Sequence, residues 1–255
     1  MVTSAIDEIT VEVRDAVATL TLNREAKRNA MALRMWQEIP NILAQVADDE
    51  SISAVVLTGA GEHFCAGADI SEFGTVRSTS AGAHDYARTV DAAEHAIADL
   101  PKPTIAMIRG YCVGGGMEIS LACDFRIASE SAKMGITASK LGIIYGVPST
   151  WRLASVVGPA WAKYVMFSAN IFPADRAQQM GLLTDLVSDE QLETVTSAFA
   201  EVLCSRSALS IAASKSIINH YAQVSTLAEP DMSEHTERAV ASEFYRSNVA
   251  AFNSK

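Results

Sequence analysis

Residues 103–129, PTIAMIRGYCVGGGMEISLACDFRIAS, restrict the chain to a narrow set of folds. PTIAMIRG (103–110) reads as a strand, three glycines follow, a helical stretch opens on them, and DFRIAS (124–129) reads as a second strand. Glycine costs a regular element about 0.5–1 kcal/mol relative to alanine, so a run of three needs a compensating use. Between a strand and a helix that use is close approach: Gly114, Gly115 and Gly116 admit another backbone or a ligand, with N–H groups at a helix N-terminus facing it. A tight strand-to-helix turn explains them as well. The run fits neither G-x-G-x-x-G nor G-x-x-x-x-G-K-[ST], which argues against a dinucleotide or P-loop site. Glu118, in the first helical turn, is explained by the helix dipole if it is read alone.

Similar units occur on both sides at uneven spacing. ITVEVRDAVATLTLN (9–23) alternates apolar and polar residues around Arg14 and Asp15 and predicts a hairpin. Leu33, Trp36, Ile39, Leu43 and Val46 predict a helix over 32–48, with Pro40 kinking it near Trp36. SAVVLTGAG (53–61) is a short buried strand running into a glycine turn. A polar loop at 74–82 precedes a helix over 83–99 that carries His84 and His95 on a solvated face and ends before Pro101 and Pro103. From about residue 149 the pattern is helical apart from a short strand at 185–188, and 191–252 holds three helical patterns. The fold class is α/β, with a mixed core over 1–190 and a helical subdomain over 191–255. Phe199, Leu203, Ile217, Phe244 and Phe252 exceed what three isolated helices would hide, so that subdomain is expected to pack on the core or on another subunit.

Charge narrows the partners. Twenty Lys and Arg against thirty Asp and Glu leave a formal net charge of −10, which argues against nucleic acid or an anionic membrane surface as a partner. MVTSAIDEIT has neither the basic nor the apolar region of a signal peptide, and no run approaches the roughly 18 apolar residues of a membrane span, so a cytoplasmic location is expected. Cys65, Cys112, Cys123 and Cys204 form no C-x-x-C pair and read as free buried thiols; without H-E-x-x-H, no catalytic metal is expected. A serine hydrolase is disfavoured by the lack of G-x-S-x-G.

A second stretch, EHFCAGADISEF (62–73), again leads from a strand and glycine turn through small residues to an acid, Asp69, whose plainest use is a cap. Together the two stretches resemble the crotonase superfamily, the enoyl-CoA hydratase/isomerase family. NREAKRNAM (23–31) is similar to its first loop, FCAGADI to its second, GYCVGGGME to its third, and the helical end to its trimerisation subdomain. The resemblance implies a ββα spiral core and a homotrimer or dimer of trimers. It implies that the N–H groups of Ala68 and Gly115 form an oxyanion hole for the thioester carbonyl of an acyl-CoA. Coenzyme A would pass Ala26, Lys27 and Arg28, then Ala66, Asp69 and Ile70, with Gly114 and Ala138 also in the binding set and Phe252 or Lys255 reaching in from a neighbouring subunit. No cofactor is implied beyond the coenzyme A of the substrate.

Hydratases of this family hold one water between two glutamates. Glu118 matches the first; the second aligns with Ala138, and no Asp or Glu lies between Glu130 and Asp175. A positioned acid or base is worth about 10²–10⁴ in rate, roughly 3–5 kcal/mol, so hydration by the two-glutamate route is expected to be inefficient while isomerisation with Glu118 stays open. Tyr145 falls where an acyl-CoA decarboxylase of the superfamily has a tyrosine, although Ala68 stands where that enzyme carries histidine. The resemblance therefore implies an enoyl-CoA hydratase- or isomerase-like enzyme, with a decarboxylase or a non-catalytic acyl-CoA binding protein as alternatives.

Overall fold

A computed structural model describes residues 2–223 and 233–253. The expected hairpin forms from β1 (Ile9–Arg14) and β2 (Val17–Leu22), with Arg14 opposite Val17. Its two-residue turn places Asp15 and Ala16 at φ of 49° and 65°, the left-handed pair whose twist suits a right-handed ribbon. Helix α1 (Leu33–Asp48) follows, and Met35, Trp36, Ile39, Ile42, Leu43 and Val46 bury one face of it. It runs as one continuous helix through Pro40, which forfeits a hydrogen bond without dividing the element.

The chain then builds a parallel sheet on β2. Strand β3 (Ala54–Gly59) pairs with β2, and every residue of β3 is buried, as expected of a parallel strand covered on both faces. The connection to the next strand departs from the expected loop and helix. A 3₁₀ turn over Ile70–Glu72 leads into α2 (Phe73–Val76), and α3 spans Ser80–Ala98, three residues earlier than its apolar pattern suggests. The reasons are local: Phe73 is buried and pins α2, and the Thr79 hydroxyl caps α3 by accepting from the Gly82 N–H at 3.1 Å.

Strand β4 (Thr104–Ile108) lies parallel to β3. After β4 the sequence reading missed a second, three-stranded sheet whose first member, β5 (Tyr111–Val113), runs directly into α4 (Gly115–Ala122). Strand β6 (Phe125–Ser129) returns to the main sheet. Then β7 (Lys133–Gly135) pairs parallel to β5, and helices α5 (Ala138–Leu141) and α6 (Val147–Ser168) follow. Helix α6 bends where Gly158, at φ 76°, meets Pro159. Strand β8 (Ile171–Pro173) closes the small sheet antiparallel to β7, α7 spans Ala174–Gln179, and β9 (Asp185–Val187) ends the main sheet in the order β1-β2-β3-β4-β6-β9. Strands of three residues are too short to show a period, so β5, β7 and β8 left no alternation to read.

Beyond residue 191 four helices are described rather than three: α8 (Leu192–Cys204), α9 (Ala208–Gln223), α10 (Ser233–Ala241) and α11 (Glu243–Asn253). The last two share one pattern that Ser242 interrupts, its hydroxyl accepting from the Tyr245 N–H at 3.1 Å. Helix α8 packs under the main sheet, where Leu192 and Ala200 join Val56, Ile105 and Ile127, and Phe199 meets Phe125 edge-on at 4.8 Å. Helix α10 lies against α3, and α11 against the 3₁₀ turn and α5. Ile217, Phe244 and Phe252 remain exposed. Among the described residues no helix is long and apolar enough to cross a membrane.

Candidate active site

The glycine run answers two separate demands. Gly114 sits at φ 51°, ψ −111°, a backbone region closed to residues with a Cβ, and its N–H donates to the Gly135 carbonyl at 2.9 Å. Gly115 and Gly116 serve close packing instead. A Cβ on Gly115 would lie 2.9 Å from Trp36 Cζ2 and 3.2 Å from the Ala68 nitrogen, and one on Gly116 would lie 2.5 Å from the Cys65 carbonyl oxygen. Helix α4 is thus pressed backbone to backbone onto the 62–73 loop.

That loop is held from both sides. Cys65 donates to the Tyr111 carbonyl at 2.8 Å and accepts from Val113 at 2.9 Å, bridging to β5. On its other side Met31 donates to the Gly67 carbonyl and accepts from the Asp69 N–H, both at 2.8 Å. This bridge uses the groups flanking Ala68, so the Ala68 N–H is turned away from Met31. Among the described residues neither the Ala68 nor the Gly115 amide donates to a protein acceptor, and the two lie side by side.

Both border a cavity of about 100 Å³ together with Ala66, Gly67, Ile70, Gly114, Glu118, Ala138 and Tyr145. Six residues of the expected site set, Gly67 not being one of them, thus meet at one place besides Ala68 and Gly115. Glu118 is half-buried, and its carboxyl is held well above the ordinary range, first by desolvation and then by the nearby Glu94 and Asp91, with Arg77 opposing. The dipole explanation is therefore insufficient, because a helix N-terminus favours the charged form and this environment raises the proton affinity of the acid. Burial also raises the Tyr145 phenol, whose Oη donates to the Gly114 carbonyl at 3.0 Å.

Ala26, Lys27 and Arg28 lie exposed on the 3₁₀ turn Glu25–Lys27 and its cap, with Arg28 5.4 Å from the centre of the Tyr111 ring. The Asp69 side chain is taken up inside the protein. It accepts from Arg24 at 2.9 Å and from the Ser71 N–H at 3.2 Å, and these partners hold it below the usual carboxylate range against the opposing effect of burial. Phe252 is exposed at the end of α11, and Lys255 lies outside the described residues.

Sequence reasoning missed the residues that α2 and α3 bring to the cavity: Arg77, Tyr86 and Asp91, with Glu94 behind them. Trp36 donates to the Tyr86 hydroxyl at 3.2 Å. Glu94 is fully buried, accepting from the Ser149 hydroxyl and the Arg152 guanidinium, yet burial still pushes its carboxyl up to about 7. No acid near Ala138 in sequence replaces a second glutamate, but Asp91 reaches the same cavity from α3. A larger groove of about 980 Å³ lies between α9 and the core, and no residue of the glycine loops lines it.

The comparisons agree with this geometry. The family model described as enoyl-CoA hydratase/isomerase matches residues 12–248. A short-chain-enoyl-CoA hydratase of Clostridium acetobutylicum is 33% identical over 84% of this chain and 82% of its own. A peroxisomal Delta(3,5)-Delta(2,4)-dienoyl-CoA isomerase of Arabidopsis thaliana is 31% identical over 82% of this chain and 80% of its own. The crystal structure of an enoyl-CoA hydratase from Bacillus anthracis superposes with a TM-score of 0.81 at 32% identity, covering 97% of this chain and 96% of that one. With a match of that extent and two strand-to-helix loops meeting over one acid, the chain belongs to the enoyl-CoA hydratase/isomerase family, the crotonase superfamily of acyl-CoA enzymes.

Proposed function

We propose that this enzyme forms and quenches a thioester enolate, as an enoyl-CoA hydratase or isomerase does. The observation that carries the reading is the pair of undonated amides, Ala68 and Gly115, beside a carboxyl whose proton affinity burial raises well above the ordinary range. The thioester carbonyl oxygen accepts from both N–H groups, which are fixed before substrate arrives and therefore stabilise developing negative charge without reorganisation. Glu118 then gives a proton to the acyl α carbon or takes one from it, and its raised affinity for protons suits a proton carrier better than an ordinary carboxylate would.

In isomerisation Glu118 removes a proton from one end of the three-carbon unit, and the enolate is reprotonated at the other. In hydration a water oxygen bonds to the β carbon, the double-bond electrons pass to the carbonyl oxygen, and Glu118 protonates the α carbon. The proton released by the water needs a second acceptor, and Ala138 offers none. Asp91 is the carboxylate of the cavity able to take it. Exposed Lys27 and Arg28, the latter joined through its carbonyl to the N–H of the cavity residue Ala66, supply local positive charge for coenzyme A. Exposed Ile217, Phe244 and Phe252 provide the surface that association into trimers or dimers of trimers would cover, which light scattering tests.

A decarboxylase reading draws on Tyr145 in the cavity wall. Against it, the Tyr145 hydroxyl is engaged with the Gly114 carbonyl, and Ala68 carries no imidazole. The enolate reading is tested by deuterium exchange at the α carbon of butyryl-CoA in D₂O. Glu118→Gln is expected to slow exchange by about 10²–10⁴ with coenzyme A affinity kept; exchange at the wild-type rate would remove Glu118 from the mechanism.

A further inference from the structure

We propose that the cavity takes acyl-CoA thioesters whose acyl group bears a carboxylate of its own, and that Arg77 and Tyr245 hold that carboxylate. The proposal rests on the acyl-CoA reading above and narrows it to a substrate class.

Arg77 follows α2, is only 8% exposed, and lines the same cavity as Glu118. Its guanidinium lies over the rings of Phe73 at 4.8 Å and Tyr86 at 5.1 Å. Those contacts use the faces of the guanidinium and leave its N–H edge unanswered. Nε is buried without a hydrogen-bond partner, and no carboxylate of the described residues pairs with the group.

The other buried arginine shows how unusual this is. Arg126, 7% exposed, donates from Nε to the Leu182 carbonyl at 2.8 Å and from Nη1 to the carbonyls of Ser120 and Cys123 at 3.0 and 2.9 Å. A buried cation is tolerated when its donors are met and is costly when they are not.

Tyr245 supplies a second donor of the same kind. It is 4% exposed, it comes from α11, and its Oη is also buried without a partner. Helix α11 packs on Gly142, where an added Cβ would lie 3.6 Å from the Tyr245 Cα, and Leu141 and Ile143 on either side of that glycine line the cavity, so Tyr245 stands directly behind its wall. Burial raises the Tyr245 phenol while the Arg77 charge opposes that rise.

Two orphaned donors from separate elements, one of them a fixed cation, match an anion with several lone pairs. A carboxylate accepts from a guanidinium and a phenol at once. The cavity's own acids do not fill this role. Asp91 Oδ1 points at Gly146, 3.2 Å from where a Cβ would stand, and burial disfavours the charged form of Glu118. An apolar acyl chain would leave Arg77 unmet, so the site penalises the wrong substrate as well as favouring the right one.

Calorimetric titration of the full-length enzyme with glutaryl-CoA, butyryl-CoA and coenzyme A tests this without requiring turnover. Wild type is expected to bind glutaryl-CoA at least about 30-fold more tightly than butyryl-CoA. Arg77→Gln should bring that ratio below about threefold, with Arg77→Lys intermediate and Tyr245→Phe lowering it roughly fivefold. In turnover, glutaconyl-CoA should be preferred over crotonyl-CoA in kcat/KM, and the preference should fall in the same order among the variants.

A wild type that binds glutaryl-CoA and butyryl-CoA equally refutes the anionic class and leaves the acyl-CoA reading standing. A wild type that binds no thioester and no coenzyme A refutes both. If Arg77→Gln weakens coenzyme A itself as much as glutaryl-CoA, the anion that Arg77 meets is a coenzyme A phosphate and the proposal is overturned. Should Arg77→Gln fail to fold, the wild-type ratio and the Tyr245→Phe ratio still decide.

Discussion

At one end of the cavity Ala68 and Gly115 present main-chain amides set by two β-bridges and a tightly packed helix. Along another wall Arg77, Asp91 and Glu118 present side chains from the residue after α2, from α3 and from α4. The amides are positioned by the fold and by the lack of a Cβ at Gly115, so that end has almost no freedom to vary. The side-chain wall can exchange carboxyls and cations while the strands behind it stay put. On the enolate reading proposed above, the difference separates what makes an enolate possible from what selects the substrate and the fate of that enolate.

Three substitutions probe the contrast, and the largest effect belongs to the amide end. Gly115→Ala places a methyl 2.9 Å from Trp36 Cζ2 and 3.2 Å from the Ala68 nitrogen. Because one oxyanion donor is worth about 10²–10³ in kcat, α-carbon exchange should drop by about that much, with coenzyme A affinity changing little. Full activity would show that these amides do not receive the carbonyl.

The second substitution adds to the variable wall. Ala138→Glu puts a carboxyl at the cavity margin, and hydration of crotonyl-CoA should rise at least about tenfold while α-carbon exchange changes less. No gain would mean that water addition is limited elsewhere, with Asp91 already serving as the second acceptor.

The smallest effect concerns stability. The Glu94 carboxyl is raised from 4.5 to about 7 in the folded protein, because burial outweighs its pairing with Arg152. A group whose folded value lies above its unfolded one contributes stability below pH 4.5 and loses that contribution as pH rises through 7. Between pH 5 and 8 the wild-type Tm should therefore fall more steeply than that of Glu94→Gln, by a few degrees. Parallel slopes would show that Glu94 does not titrate in this window.

Much of the amide end could be read from the sequence, because its requirements fall on residue types at fixed spacing. The glycines at 114–116, the small residues at 66–68 and the acid at 118 each answer a local demand of one loop, and those demands survive translation into a linear pattern. The α3 wall could not be read in that way. Arg77 lay in what the sequence presented as a polar loop, and Asp91 and Glu94 carried the ordinary polarity of an exposed helix. One signal was present: the apolar stripe of Ala83, Tyr86, Val90, Ala93 and Ile97 takes in Glu94. A charge inside a buried stripe marks a residue that needs a partner. Asn29 was overlooked for a similar reason. It is fully buried at φ 57°, and its side-chain amide donates to the carbonyls of Ala60 and His63, partners far away in sequence.

The Arg24 guanidinium donates to the Ala30 carbonyl at 2.6 Å and to Asp69 at 2.9 Å, while the Ala66 N–H donates to the Arg28 carbonyl at 2.9 Å. Two stretches about forty residues apart are thereby fastened into one plate, Ala66 of which lines the cavity. Neither can drift in the course of descent without the other, so a graft that transplants either stretch alone into a cousin would carry half a joint.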